Sequence, residues 1–214
     1  MKIDLLDCTL RDGAYIVDSM FGTAAIKGII SHLQEAQVNV IEVGWLKDKP
    51  HKEGSSYYHV PADAEPYILK KNPNCLYVAM IDWDRYDDSV LPPYDGKSID
   101  AIRVVFPYGK HRGGIEIGNR IKAKGYTVMY QAANTLAYKN EDIIALAKDM
   151  NEAKPASLSI VDTFGAMYEE DLERIATCMD AHLDKDIKIG IHTHNNQQMA
   201  FANTVEAVGD ALKE

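Results

Sequence analysis

The sequence predicts an α/β fold built on a parallel β-sheet, and three observations support this. Short apolar, β-branched runs alternate with longer segments in which apolar residues recur at helical spacing. Most of the runs are continuously apolar, which is typical of strands covered on both faces. The composition, with 46% hydrophobic and 26% charged residues in a chain of 214, is that of a globular protein able to bury a core.

Seven apolar runs are predicted to be strands, at 3–8, 38–43, 76–81, 101–106, 126–130, 157–161 and 187–192. Helices are expected at 23–37, 62–71, 115–124, 140–150, 169–183 and 196–212. Thr23 and Asn140 are the predicted N-caps of two of these helices, since Thr and Asn side chains accept from backbone N–H groups there. Gly125 is expected to close the helix that the pair Gly113-Gly114 opens.

Seven strand and helix units indicate a TIM-type (β/α)₈ barrel whose eighth unit is missing or supplied by another chain. We therefore expect one domain over residues 1–214, incomplete at its C-terminus. A doubly wound open sheet is the alternative. That fold usually shows a glycine-rich first turn, and no such turn follows the first predicted strand.

Charge and composition exclude several classes of partner. The formal net charge of −9 gives no general attraction to nucleic acid or to anionic membranes. No apolar run approaches the roughly 20 residues that span a bilayer, and the acidic N-terminus lacks the features of a signal peptide. We expect a cytoplasmic protein. Its three cysteines, Cys8, Cys75 and Cys178, are predicted to be reduced and buried.

Polar residues cluster where three of the predicted strands end. His192 and His194 are two residues apart on a strand, so their rings point the same way and can converge on one ion. The alternative is a pair of solvent-exposed or otherwise satisfied histidines. Asp12 follows the first strand and can supply a carboxylate to the same ion. This would be a typical ligand set for a divalent cation.

Arg11 and Glu42 form a second candidate pair. The planar guanidinium of Arg11 suits a substrate carboxylate or a developing enolate oxygen. A salt bridge to Asp7, Asp12 or Glu42 is the alternative, and both roles can hold at once. Glu42 ends the second strand, where it can orient Arg11 or a metal-bound water, or simply pair with a basic neighbour.

Four motifs together resemble the DRE-TIM metallolyase superfamily, which includes hydroxymethylglutaryl-CoA lyase and 4-hydroxy-2-oxovalerate aldolase. They are Asp7-x-Thr9-Leu10-Arg11-Asp12-Gly13, the strand end at Glu42, Asp162-Thr163-x-Gly165 and His192-x-His194-Asn195. The resemblance runs from residue 3 to about residue 208 and is closest to the aldolase branch.

This resemblance implies a metal-dependent aldolase or lyase that cleaves or forms a carbon–carbon bond in a small 2-oxo or 4-hydroxy-2-oxo acid. The metal, Mg²⁺ or Mn²⁺ before Zn²⁺ or Co²⁺, would be held by Asp12, His192 and His194. Arg11 would stabilise the enolate oxygen, and Arg11 and Thr163 would bind substrate. Asp162 and Thr163 are alternatively explained as caps of the following helix.

Two departures from the family's pattern leave alternatives open. Tyr15 stands where the aldolases carry a histidine base, so we expect Tyr15 to be the acid–base group or, alternatively, an aromatic lid. The missing eighth strand predicts either that the chain is a fragment of a longer protein or that a homo-oligomer or a partner chain covers the open barrel edge. A non-catalytic, partner-binding member of the family is the main functional alternative. A Claisen-type synthase using acyl-CoA ranks below it.

Overall fold

The structure is a computed structural model that describes residues 3–211, with the backbone alone for 210 and 211. The chain divides into two compact units. We call residues 4–104 with 120–127 the N-terminal unit, and residue 3, 105–119 and 128–211 the C-terminal unit.

The described residues contain eight strands: β1 (Leu6–Asp7), β2 (Val40–Leu46), β3 (Tyr57–Tyr58), β4 (Leu76–Asp82), β5 (Ala101–Phe106), β6 (Thr127–Ala132), β7 (Ser157–Asp162) and β8 (Lys188–Thr193). Their order is β1-β2-β4-β5-β6-β7-β8, with β3 paired to β2. The pairs of β2 with β1, β3 and β4, and of β7 with β6 and β8, are all parallel. The seven predicted strands are therefore confirmed, and the two-residue strand β3 is an addition to them.

Five α-helices follow the strands: α1 (Thr23–Glu35), α2 (His111–Ala123), α3 (Asn140–Ala153), α4 (Glu169–His182) and α5 (Ala200–Ala211). Leu212, the predicted end of the last helix, lies outside the described residues. The helix expected at 62–71 is instead a 3₁₀-helix, Pro61–Tyr67. Pro66 lies inside it, and proline has no N–H to continue an α-helix. None of the described helices is both long and apolar enough to cross a membrane.

The predicted helix starts are wrong in four places, one of which is α5, which begins at Ala200 rather than at residue 196. Thr23 and Asn140 are the first helical residues rather than the caps. At α3, the carboxylate of Asp142 reaches back and accepts from the Lys139 N–H at 3.0 Å, which places the cap one residue earlier. Helix α2 begins four residues before its predicted start, and Gly114 lies inside it. A β-carbon on Gly114 would be 2.7 Å from the Phe106 ring, so glycine is what lets the helix approach β5.

In the N-terminal unit, β3 lies against the end of β2 because Gly44 makes room for it. Gly44 has φ +147°, and a β-carbon there would be 1.9 Å from the Ser56 carbonyl oxygen. Trp45 then donates its N–H to that same oxygen at 3.0 Å. The close approach of two backbones fixes the path of the chain beyond the carboxyl end of β2.

In the C-terminal unit, the register of three strands decides which side chains share a face. Ser159 pairs with Gly190, and two residues further along Val161 pairs with His192. Gln131 of β6 lies opposite Ser159 and donates to its hydroxyl at 3.0 Å. Because side chains alternate along a strand, His192 shares the face of Gln131 and Ser159.

The three cysteines are free thiols, as the sequence predicts. Cys75 is buried, whereas Cys8 and Cys178 are partly exposed. The expectation that all three are buried is therefore wrong for two of them. Cys8 lies in the turn after β1, and Cys178 lies on α4.

Candidate functional site

Arg11 lies in a tight turn that follows β1. The N–H groups of Arg11 and Asp12 both donate to the Cys8 carbonyl, at 3.0 and 2.7 Å. The guanidinium Nε donates to Glu42 Oε2 at 2.7 Å, and Nη1 donates to Asp12 Oδ1 at 2.7 Å. The carboxylates of Glu42 and Asp12 raise the pKa of Arg11, although burial opposes this. Arg11 is thus held in one orientation by two carboxylates.

Arg103 is a second cation at Glu42 that the sequence analysis missed. Its Nη1 lies 2.6 Å from Glu42 Oε1. Burial alone would raise the pKa of Glu42, but the charges of Arg103 and Arg11 hold that pKa below its usual value. The sequence did offer a sign of this pair. Arg103 lies in the middle of the apolar run of β5, where an unpaired charge would be very costly, so a buried carboxylate partner could have been expected.

Asp12 and Tyr15 lie on either side of Gly13. Asp12 retains partial exposure while it accepts from Arg11. Tyr15 ends the 3₁₀-turn Gly13–Tyr15 and has 74% of its surface exposed. Surrounding atoms still desolvate the phenol and raise its pKa, while the Arg11 charge acts in the opposite direction. Tyr15 therefore keeps its proton at neutral pH.

In the C-terminal unit, His192 and His194 come together at the end of β8. Their Nε2 atoms are 3.4 Å apart, and the ring centroids are 4.7 Å apart. His194 Nδ1 is 2.7 Å from the backbone carbonyl of Asp162. A carbonyl can only accept, so Nδ1 carries the hydrogen and the neutral ring presents the lone pair of Nε2. This is how a metal-ligating histidine is usually oriented.

The two imidazoles fit a divalent ion by their spacing and by their chemistry. Nitrogen-to-metal bonds are about 2.0–2.1 Å, so two nitrogens 3.4 Å apart can both contact one ion. Imidazole suits the borderline divalent cations Zn²⁺ and Co²⁺, while a carboxylate suits Mg²⁺ and Mn²⁺. The two histidines alone do not determine which of these four ions binds.

Asp162 and Thr163 shape the chain beside this pair. The Asp162 carboxylate accepts from the N–H groups of Ala166 and Met167, at 2.9 and 3.2 Å. Asp162 thus stabilises the turn before α4, but the helix cap itself is Tyr168. The Thr163 hydroxyl accepts from the Asn134 N–H at 2.7 Å, which leaves its own O–H available as a donor.

Gly165 supports the segment that carries His194. Its φ is +60°, and a β-carbon there would lie 2.6 Å from the Asn196 nitrogen and 2.8 Å from the His194 oxygen. The Gly165 carbonyl also accepts from the Gln197 N–H at 3.2 Å. The glycine of the Asp-Thr-x-Gly motif is therefore a packing requirement of the histidine segment.

The candidate residues fall into two groups. The N-terminal unit brings Arg11, Asp12 and Glu42 into contact. The C-terminal unit brings His192 and His194 together, with Thr163 following the residue that orients His194. The catalytic, substrate-binding and metal-binding roles expected for these residues stay predictions.

Comparisons with known proteins agree with the motifs. Residues 114–212 match the HMGL-like family model. This match and the curated relatives support the resemblance of the chain to the DRE-TIM metallolyase superfamily. It is 24% identical over 210 residues to oxaloacetate decarboxylase of Mycobacterium tuberculosis, with 95% of this chain and 60% of the relative covered. It is 27% identical over 221 residues to 4-hydroxy-2-oxovalerate aldolase of Moorella thermoacetica, with 97% and 61% covered.

A solved structure shows the same fold as this chain. The HMG-CoA lyase of Bacillus subtilis superposes with a TM-score of 0.70 at 16% identity, covering 97% of this chain and 73% of that one. This confirms the predicted α/β, TIM-type architecture. The chain spans about 60% of the length of the curated relatives it matches.

Proposed function

We propose that this chain is a divalent-metal-dependent carbon–carbon lyase of the aldolase type that acts on a small 2-oxo acid. The metal ligands in this proposal are His192 and His194, and Asp12 stays a predicted third ligand. The observation that carries it is the 3.4 Å approach of the two Nε2 atoms, with His194 oriented by the Asp162 carbonyl. Relatives named as an aldolase and a decarboxylase support a lyase over the non-catalytic alternative.

A bound divalent ion would act as a Lewis acid that polarises a substrate carbonyl and favours negative charge on its oxygen. The chain's own residues supply the rest of the proposed chemistry. Arg11 directs its remaining N–H groups to the oxygen on which charge develops, and one well-placed donor of this kind contributes about 3 kcal/mol. Glu42 is a positioning residue, because it holds Arg11 at 2.7 Å in a buried environment.

Thr163 and Tyr15 have proton-donating roles in this proposal. Thr163 donates its O–H to the substrate while the Asn134 N–H fixes the orientation of the hydroxyl oxygen. Tyr15 keeps its phenolic proton because its pKa is raised. It therefore acts as the acid that protonates the product carbon after bond cleavage. The proton that the 4-hydroxyl group loses when the carbon–carbon bond breaks passes to solvent, and the deprotonated phenol recovers a proton from solvent.

Metal binding tests the ligand assignment. We expect Mn²⁺ titrated calorimetrically into the His194→Ala variant to bind at least about 10-fold more weakly than to the unmodified chain. His182→Ala is the matched control, because His182 is an exposed histidine of α4 whose Nδ1 also contacts a backbone carbonyl, that of Cys178 at 2.8 Å. Equal Mn²⁺ affinities in all three proteins would contradict the assignment.

Activity tests the reaction class. Pyruvate release from a series of 4-hydroxy-2-oxo acids is measured with Mn²⁺, with Mg²⁺ and with EDTA. We expect turnover with either ion and none with EDTA. Turnover that persists in EDTA, or no release from any member of the series, would overturn the proposal.

We also propose that a second copy or a partner chain covers the edge of β8. The described strand order ends at β8, whose pairing partner among residues 3–211 is β7. An unpaired edge strand favours association. Light scattering that gives the mass of a monomer at all concentrations would exclude a second copy and leave only the partner chain.

A further inference from the structure

Lys47 directly follows β2, and its backbone is held on both sides. Its N–H donates to the Tyr58 carbonyl at 2.9 Å, and its carbonyl accepts from His59 Nδ1 at 3.2 Å. In parallel α/β sheets, ligands bind at the carboxyl ends of the strands. Lys47 is therefore fixed at the edge of the N-terminal unit where a ligand is expected.

The Lys47 side chain lies against the same aromatic ring as Arg11. Lys47 Nζ is 5.3 Å from the centre of the Trp45 indole, and Arg11 Cζ is 5.8 Å from that centre. Trp45 is itself buried, so the ring is a fixed surface that both cations contact. Lys47 thus contacts the same ring as the guanidinium that we propose to contact the substrate.

Lys47 differs from Arg11 and Arg103 because no described carboxylate forms an ion pair with it. Arg11 and Arg103 both pair with Glu42. Among the described residues, no ion pair includes Lys47. Its side chain is nevertheless only partly exposed. The N-terminal unit thus contains a half-buried ammonium group with no carboxylate in contact.

The partial burial of the Lys47 ammonium group and the nearby charge of Lys49 favour an incoming anion. Burial lowers the pKa of Lys47, and the charge of Lys49 acts in the same direction. Asp82 and Asp18 oppose this from beyond ion-pair distance. A desolvated ammonium group is stabilised when an anion contacts it. A substrate group of negative charge would supply the contact that the chain itself does not.

We propose that Lys47 binds a second carboxylate of the substrate, so that the preferred substrates are 2-oxo dicarboxylic acids rather than 2-oxo monocarboxylic acids. This rests on the proposed function, since the first carboxylate and the 2-oxo group belong to the metal and Arg11 site. Lys47 is then the residue that determines specificity. Arg11 is unsuited to that task because Glu42 and Asp12 occupy two of its N–H groups and the proposed function assigns the others to the oxygen on which charge develops.

Matched ligands and variants test this. Dissociation constants are measured with Mn²⁺ present for 2-oxoglutarate and 2-oxovalerate, which differ in a terminal carboxylate or methyl group, and for the shorter pair oxaloacetate and 2-oxobutyrate. The protein is tested unmodified and as Lys47→Met, Lys47→Arg and Lys49→Met. Lys49 is the matched control, because its ammonium lies over the Tyr57 ring at 3.6 Å. Thermal unfolding of each variant verifies the fold.

We expect the unmodified protein to bind the dicarboxylate of at least one pair roughly 10- to 100-fold more tightly than the monocarboxylate. Lys47→Met should abolish that preference and leave monocarboxylate affinity within about twofold. Lys47→Arg should retain most of the preference, and Lys49→Met all of it. If Lys47 had only a structural role, Lys47→Met would lower the affinity for both ligands of a pair equally.

Two results would overturn the inference, and they are distinguishable. Equal affinity for both members of each pair in the unmodified protein, or a preference that survives Lys47→Met, rejects the role of Lys47 and leaves the proposed lyase intact. No Mn²⁺-dependent binding of any of the four ligands rejects the 2-oxo acid site itself, and the role of Lys47 with it.

Discussion

Glu42 and Arg103 form an ion pair of 2.6 Å in which neither side chain has more than 3% of its surface exposed. The other carboxylate oxygen of Glu42 accepts from Arg11 at 2.7 Å. One buried carboxylate therefore serves two guanidinium groups, which come from the turn after β1 and from β5. Charge balance in the core and the orientation of Arg11 depend on the same side chain.

Replacing Glu42 with Gln should destabilise the protein by about 3 kcal/mol, because two buried guanidinium groups would lose their counter-charge. Urea unfolding of the purified variant measures this. Glu35→Gln is the control, since Glu35 is an exposed glutamate of α1, and its effect should stay within about 0.5 kcal/mol. A Glu42→Gln variant as stable as the control would show that the buried charges are compensated elsewhere.

The same carboxylate predicts a pH dependence of stability. The folded-state pKa of Glu42 is lowered from the usual 4.5, so its contribution is complete above pH 4.5 and is lost as pH falls through the folded pKa. The difference in unfolding free energy between unmodified protein and Glu42→Gln should be constant from pH 7 to about 5 and shrink at lower pH. A difference that grows on acidification would contradict the lowered pKa.

Local sequence patterns predicted the long elements of the fold well. The continuous apolar runs of β2, β4 and β5 gave each strand to within a few residues, because burial on both faces needs such runs. Strand β3 could not be predicted in this way. It has two residues, and its pairing depends on the space above Gly44, which is a tertiary contact.

In the candidate site too, local sequence patterns predicted some features, while others depend on tertiary contacts. The alternation of side chains along a strand placed His192 and His194 on one side, and the structure brings their Nε2 atoms to 3.4 Å. The partners of Glu42 were only half predicted. Arg11 was an evident partner at a strand end, whereas Arg103 lies within an apolar strand, and strand order alone brings it to Glu42.

The glycine of the Asp-Thr-x-Gly motif offers a test of how the histidine segment is supported. Gly165→Ala should cost about 1–3 kcal/mol, because φ +60° is unfavourable for alanine and the new β-carbon would lie 2.8 Å from the His194 oxygen. We also expect weaker Mn²⁺ binding by calorimetry. Gly28→Ala on α1 is the control, since nothing lies within 4 Å of its β-carbon position and alanine favours helices. Unchanged stability and Mn²⁺ affinity in Gly165→Ala would contradict this.

Cys8, in the turn that carries Arg11, should react slowly with alkylating reagents. Burial raises the pKa of the Cys8 thiol to about 11, and the charge of Arg11 only partly opposes this. The thiolate fraction at pH 7.5 is then roughly 100-fold below that of a thiol of pKa 9. A more basic thiolate is also a better nucleophile, and this recovers about 10-fold in rate. Alkylation of Cys8 should therefore be about 10-fold slower. Iodoacetamide labelling of a Cys75→Ser/Cys178→Ser variant, followed by mass spectrometry against free cysteine, measures the rate. The rate should still rise with pH between 9 and 10.5, and a plateau below pH 9 would show that Arg11 outweighs burial.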